Sequence, residues 1–136
     1  MFKDTHAFSG FSANDLDTVE SFYKDVLGLD VERQAPPMDF VTLKLATGGR
    51  VLIYPKPDHK PASYTVLNFP VADVDAAVDA LAAKGVAFER YENMGMEQDE
   101  KGIARGKAAG MGPDIAWFKD PAGNILAVLS EDPEAV

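Results

Sequence analysis

Gly28-Leu29-Asp30-Val31-Glu32-Arg33 returns about 57 residues later as Gly85-Val86-Ala87-Phe88-Glu89-Arg90. Each copy follows a helix-like stretch opened by an acidic pair, Asp15-Leu16-Asp17 in the first case and Asp73-Val74-Asp75 in the second. A third correspondence closes each half. Gly49-Arg50-Val51-Leu52-Ile53-Tyr54 resembles Gly123-Asn124-Ile125-Leu126-Ala127-Val128, a glycine turn feeding an apolar strand. An internal repeat fixes architecture more firmly than any single propensity, and duplication of a half-domain is the economical reading.

Both halves parse in the same order. Residues 3–10 and 63–71 read as strands, the second rich in β-branched and aromatic residues and ended by Pro70. Helices follow near 14–27 and 72–84. In the first, Asn14 or Asp15 can cap the free N–H groups, and Leu16, Val19, Phe22, Tyr23 and Val26 recur at three- and four-residue steps. In the second, Val74, Ala77, Val78, Leu81 and Ala82 form the same stripe, and Gly28 and Gly85 stand where a left-handed helix exit wants them. Three strands then follow in each half, at 30–35, 39–46 and 50–55 and at 86–91, 113–119 and 124–130. The pattern predicts an α+β fold, one domain over 1–136 made of two βαβββ modules at about 1–56 and 62–131.

The exception to the repeat is the segment from Glu92 to Gly112, which holds five of the eleven glycines together with Met94, Met96 and Met111. A loop of that length inside a compact domain is either a functional lid or a solvated excursion. Its acidic run Glu97-Gln98-Asp99-Glu100 lacks the spacing of a calcium loop and reads as solvated charge.

Composition excludes whole classes of function. The 136 residues carry 13 basic and 22 acidic side chains, a formal charge of −9, and no cysteine, so disulfides, thiolate metal ligands and a cysteine nucleophile are out. An acidic chain with no Lys/Arg cluster argues against a nucleic acid partner. At 46% hydrophobic it has material for a core, yet no apolar run approaches the roughly 18 residues of a membrane span. Met1-Phe2-Lys3-Asp4 has no signal-type apolar region, which sets the expectation of a cytoplasmic protein.

Asp15–Leu29, with Phe22-Tyr23 ahead of Leu27-Gly28, and Trp117–Leu129, with its Asp120-Pro121-Ala122-Gly123-Asn124 turn, resemble the glyoxalase/bleomycin-resistance/extradiol-dioxygenase superfamily, the vicinal oxygen chelate fold. The resemblance covers nearly the whole chain. It implies a curved mixed sheet whose concave faces form a ligand cup, with helices packed outside. In metal-dependent relatives it further implies a divalent ion in that cup, held by His or Glu from the first and fourth strands of each half. Here those positions fall on Phe8, Val66, Ile53 and Ala127, with Leu52 or Tyr54 replacing Ile53 if the register slips by one. None is a usual metal ligand. No metal is therefore expected at the family site, and a displaced divalent metal is the alternative.

Polar candidates remain. His6 lies two residues before Phe8, shares its face on a continuous strand, and is the candidate general base. His59, in the proline-rich stretch Pro55–Pro61, reads as an exposed connection. Tyr64, Val66 and Asn68 share one face of the fifth strand, and Trp117, rather than Phe118, is placed toward the cup as a ring to stack on a planar ligand. Phe8, Ile53, Tyr64, Val66, Asn68, Trp117 and Ala127 thus make the predicted ligand-binding set, a mostly carbon surface with a few polar groups. Arg50 and Lys119 are rim contacts for an anion. The first functional reading is a metal-free small-molecule binding protein, a homodimer as the resemblance implies, for an apolar or aromatic and conceivably cationic compound. The alternatives are a lyase, isomerase or dioxygenase working through a displaced metal or His6, and an interaction domain with a vestigial cup.

Overall fold

In the computed structural model, which describes residues 1–46, 48–92 and 95–131, Asp15 opens the first helix. Its backbone is extended and its carboxylate accepts the N–H groups of Asp17 at 3.0 Å and Thr18 at 3.4 Å, satisfying first-turn donors that have no partner within the helix. Helix α1, Leu16–Ser21, runs directly into a π-helical stretch, Phe22–Val26. Gly28 then turns the chain out at φ +70°, and the Leu29 N–H closes on the Tyr23 carbonyl at 3.0 Å. The capping logic repeats at Asp73, whose carboxylate accepts the Ala76 N–H at 3.0 Å ahead of α2, Val74–Ala83.

The chain divides into two compact units, Met1–Pro61 and the remainder from Ala62. In the first, β1 (Ser9–Ala13), β2 (Asp30–Gln34), β3 (Phe40–Lys44) and β4 (Arg50–Pro55) form a sheet in the order β1-β4-β3-β2. β1 is parallel to β4, and the other two pairings are antiparallel. Leu16, Val19 and Tyr23 from the helical segment are buried, as are Val41, Leu43, Val51 and Ile53 from the sheet. The first strand starts later than residues 3–10 because Ser9–Ala13, poor in β-formers, are held by their pairing with β4.

The second unit repeats this plan with β5 (Thr65–Val71), β6 (Ala104–Arg105), β7 (Asp114–Lys119) and β8 (Ile125–Ser130), ordered β5-β8-β7-β6. A short helix α3, Gly106–Ala109, follows β6. The two mixed four-stranded sheets with their helices are the α+β, twice-βαβββ architecture that the repeat predicts. The turn before β8 is closed by Asp120, buried, whose carboxylate accepts the N–H groups of Ala122 and Asn124 and the Asn124 side-chain amide, each at 2.9 Å.

One predicted strand is corrected. Residues 86–91 contribute only a bridge, Phe88 to Phe118, and a bond from the Glu89 N–H to the Trp117 carbonyl at 2.8 Å. The chain then leaves the sheet, and Ala104–Arg105 take the edge, opposite Ile115 and Asp114. Side chains hold the excursion together. The Gln98 amide donates to the carbonyls of Glu89 at 2.9 Å and Gly102 at 2.7 Å and accepts the Tyr91 N–H at 2.7 Å. Asp99 accepts the N–H groups of Lys101 and Ile103, and Arg90 donates to the carbonyls of Asp99 and Glu100. These bonds satisfy backbone groups that a continuous edge strand would have left to its ladder. Met94 lies outside the described residues.

Edge arginines tie each sheet to its helix. On β2, Arg33 forks onto Asp39 at 2.6 and 2.9 Å and reaches Asp17 at 2.9 Å and Glu20 at 3.1 Å on α1. On β6, Arg105 forks onto Asp75 of α2 at 2.8 and 3.0 Å and onto Asp99 at 2.8 and 3.1 Å. Asp17 and Asp75 are repeat equivalents, so the partner of Arg33 in the second unit is Arg105 rather than the sequence-aligned Arg90.

The Arg105 guanidinium holds the Asp75 carboxyl down at about 2, against an ordinary 3.8. A depressed carboxyl pKa stabilises the fold fully above the unfolded value and loses that contribution as pH falls through the folded one. Urea unfolding midpoints are therefore expected to drop as pH is lowered from above 3.8 through about 2, and Arg105→Gln is expected to flatten that drop. Independently, a Cβ at Gly106 would lie 2.3 Å from the Pro113 carbonyl oxygen, so Gly106→Ala is expected to cost about 2 kcal/mol or more in the same measurement.

Candidate functional site

Side-chain alternation, read from the arginine bridges, assigns the two faces of each sheet. Arg33 reaches α1, so its cross-strand partners Val41 and Ile53 share the helix side, and both are fully buried. Glu32, Thr42, Leu52 and Gly10, which form the neighbouring row, belong to the opposite, helix-free face. Arg105 does the same for the second unit, assigning Ala116, Phe118, Leu126 and Val128 to the helix side and Trp117, Ala127 and Asn68 to the other.

On the helix-free face of the first sheet lies a cavity of about 590 Å³ lined by Phe8, Glu32, Phe40, Thr42, Lys44, Leu45, Gly48, Gly49, Arg50 and Leu52. Phe8, Phe40, Leu45 and Leu52 supply carbon, while Lys44, Arg50, Glu32 and Thr42 supply charge and a hydroxyl. The Arg50 guanidinium stacks over the Phe8 ring, 4.4 Å from its centroid. Lys44 stands 3.6 Å from Glu32 in a well-exposed pair of the kind that contributes little to stability.

Ile53 is the one family position whose predicted facing is corrected. Aligning the glycines of the two halves equates Ile53 with Ala127, but the ladders pair Arg50 with Lys44 and Ile125 with Lys119. The true counterpart of Ala127 is therefore Leu52, the one-residue slip considered above, and Ile53 belongs to the buried side. Sequence alignment missed this because the turn before β4 carries two glycines, Gly48-Gly49, against one before β8. The apolar alternation Val41, Leu43, Val51, Ile53 was the signal that marks Phe40, Thr42, Lys44, Arg50 and Leu52 as the other face.

In the second unit Asn68, Ala127 and Trp117 stand in a single cross-strand row, and Trp117 meets Tyr91 edge-on at 5.4 Å between centroids. Burial raises the Tyr91 phenol pKa, and among the described residues its buried hydroxyl has no hydrogen-bond partner. Tyr64 is exposed ahead of β5, and a bulge between Thr65 and Leu67 breaks the expected alternation, so Tyr64, Val66 and Asn68 do not lie on one uninterrupted face. His6 is exposed and precedes β1, so strand alternation does not fix its direction. His59, read above as an exposed connection, instead meets the Ser12 hydroxyl through Nδ1 at 2.6 Å, tying the segment after β4 to β1 across 47 positions of sequence.

The donors do not suit a metal. Phe8 and Leu52 in the first unit and Val66 and Ala127 in the second offer only carbon. Among the described residues no three His, Asp or Glu side chains gather as a metal-binding group, and Asp99 of the acidic run is engaged with Arg105 and two N–H groups. Also among the described residues, no helix is long and apolar enough to cross a membrane.

The family profile described as Glyoxalase/Bleomycin resistance protein/Dioxygenase superfamily matches residues 6–128. Among curated proteins, none matches the sequence. Similar solved structures include the fosfomycin resistance protein FosX from Listeria monocytogenes, 13% identical over 96% of this chain and 94% of that one, at a TM-score of 0.68. TnmS3, an antibiotic binding protein from a Streptomyces species, is 20% identical over 95% and 98% of the two chains, at 0.64. A lactoylglutathione lyase from Agrobacterium tumefaciens is 23% identical over 94% and 96%, at 0.62. At these identities the likeness is one of fold.

The face assignment has a direct check in urea denaturation. Ile53→Ala is expected to cost about 2–5 kcal/mol, as for a fully buried large aliphatic, and Leu52→Ala under about 1.5 kcal/mol.

Proposed function

Because the chain belongs to the Glyoxalase/Bleomycin resistance protein/Dioxygenase superfamily, we propose that it is a metal-free small-molecule binding protein, taking a drug or metabolite on the helix-free face of its sheets. One observation carries the reading. Where metal-dependent relatives place nitrogen and oxygen donors, this chain has Phe8, Leu52, Val66 and Ala127, while the face beside Phe8 and Leu52 holds a cavity of about 590 Å³ with mixed apolar and polar walls. That volume lies within the range of pockets that enclose drug-sized ligands. Carbon in place of donors converts a site able to polarise a bound oxygen into one suited to hold an apolar body.

The structural likeness to an antibiotic binding protein and to a fosfomycin resistance protein is consistent with ligand capture as a use of this fold. A cytoplasmic homodimer is part of the proposal. Exposed Phe2, Phe8, Met38, Tyr54, Tyr64 and Met111 provide apolar surface for a second copy or a ligand to cover. The acid–base alternative rests on His6, which is not among the described residues that line the cavity.

Elemental analysis of protein purified from medium supplemented with zinc, manganese, nickel and iron, followed by exhaustive dialysis, tests the proposal. Far less than one equivalent of any divalent ion per chain is expected. A stoichiometric ion surviving dialysis would overturn it.

A further inference from the structure

The cavity of the first unit carries a charge pattern opposite to that of the chain. Against a formal −9 overall, its walls hold two cations, Lys44 and Arg50, and one carboxylate, Glu32. Resting on the small-molecule reading above, we propose that the ligand of this cavity is a planar apolar compound bearing one anionic group, with Arg50 and Lys44 as the residues that read the anion.

Three observations carry this. First, the Arg50 guanidinium carbon stands over the Phe8 ring, 4.4 Å from its centroid, and a guanidinium has five N–H donors, more than one ring face can engage. Among the described residues Arg50 makes no ion pair, unlike Arg33 and Arg105, each of which engages several carboxylates. Second, among the described residues Lys44 is ion-paired with Glu32 alone, at 3.6 Å and with both side chains more than half exposed. Solvent screens such a pair, so an incoming anion can take the ammonium at little cost. Third, Lys44 and Arg50 are direct cross-strand partners on β3 and β4, which sets the two cations side by side next to the pair Thr42 and Leu52. Asp30 stands opposite Lys44 on β2 though outside the cavity lining, and the repulsion between Lys44 and Arg50 across β3 and β4 is relieved further when an anion sits between them. A cationic ligand, by contrast, would find Glu32 as the one carboxylate among the described lining residues and would face both cations. Phe8 and Phe40 offer rings against which a flat ligand body can stack.

A pair of fluorescent probes with one skeleton separates the anion from the body. Anilinonaphthalene sulfonate and its uncharged parent, N-phenylnaphthylamine, are titrated against the full chain and against Arg50→Gln, Lys44→Gln and Leu52→Glu. The wild-type chain is expected to bind the sulfonate roughly tenfold or more tightly than the neutral probe, the worth of a charge-assisted hydrogen bond. Arg50→Gln and Lys44→Gln should each weaken the sulfonate several-fold and leave the neutral probe within about twofold. Leu52→Glu should weaken both probes, locating them in the cavity. Equal binding of the two probes by the wild type, or a sulfonate preference that survives Arg50→Gln, overturns the anion assignment and leaves the small-molecule reading standing. Failure of both probes to bind the wild type, or binding of both unchanged in Leu52→Glu, overturns the cavity as a small-molecule site and the anion assignment with it.

Discussion

Among the described residues α1 and its π-helical continuation pack on the first sheet and α2 on the second, and side chains in a strand alternate between faces with a period of two. Once the helix side is occupied, every residue of every strand is committed. Val41, Leu43, Val51 and Ile53 go under α1, and Phe40, Thr42, Lys44, Arg50 and Leu52 are left to the other side. The edge arginines complete this division. Arg33 and Arg105 cross from the last strand of each sheet to an aspartate in the first turn of the covering helix, where negative charge is also favoured by the helix dipole. They are partly exposed, so their role is chiefly in geometry. They join strand edge, helix start and neighbouring loop through forked, charge-assisted bonds whose directions are fixed.

The two halves keep this plan while reaching it differently. In the first, the edge strand is the segment directly following the helix, Asp30–Gln34. In the second, the segment with the matching sequence leaves the sheet after a bridge at Phe88, and Ala104–Arg105 return from the excursion to complete the edge. Arg105 recreates the helix bridge from a new place in the chain, and Arg90 is released to hold the loop carbonyls of Asp99 and Glu100. The same kind of bridge is made in both units by arginines at different positions of the repeat.

The chemistry of the helix-free face follows from what stands on it. In the first sheet that face carries a mixed row of Glu32, Thr42, Leu52 and Gly10 with Lys44 and Arg50 beside it, and Gly48 and Gly49 also line the cavity. Carbon from Phe8, Phe40 and Leu52 beside two cations suits an amphipathic acid, and among the described residues no three His, Asp or Glu side chains gather to hold a divalent ion. The second sheet sets Asn68, Ala127 and Trp117 in a row, an amide and a ring on either side of a methyl.

How much of this the sequence carries can be read residue by residue. The capping aspartates Asp15 and Asp73, the helix exit at Gly28 and the Asp120–Asn124 turn are local devices, complete within a few residues, and they were legible. So was the duplicated βαβββ plan. Ile53 against Leu52 was not legible, because an alignment anchored on glycines is blind by one residue and one residue reverses a strand face. Nor were the bulge after Thr65, the contact of Ser12 with His59, or the exchange of Arg90 for Arg105. Composition and local pattern by themselves determined the elements and their order, since those depend on residue types and short-range spacing. Only the tertiary structure decided which row faces the cavity and which arginine holds the helix, since strand register and long-range ion pairs exist only once distant segments meet.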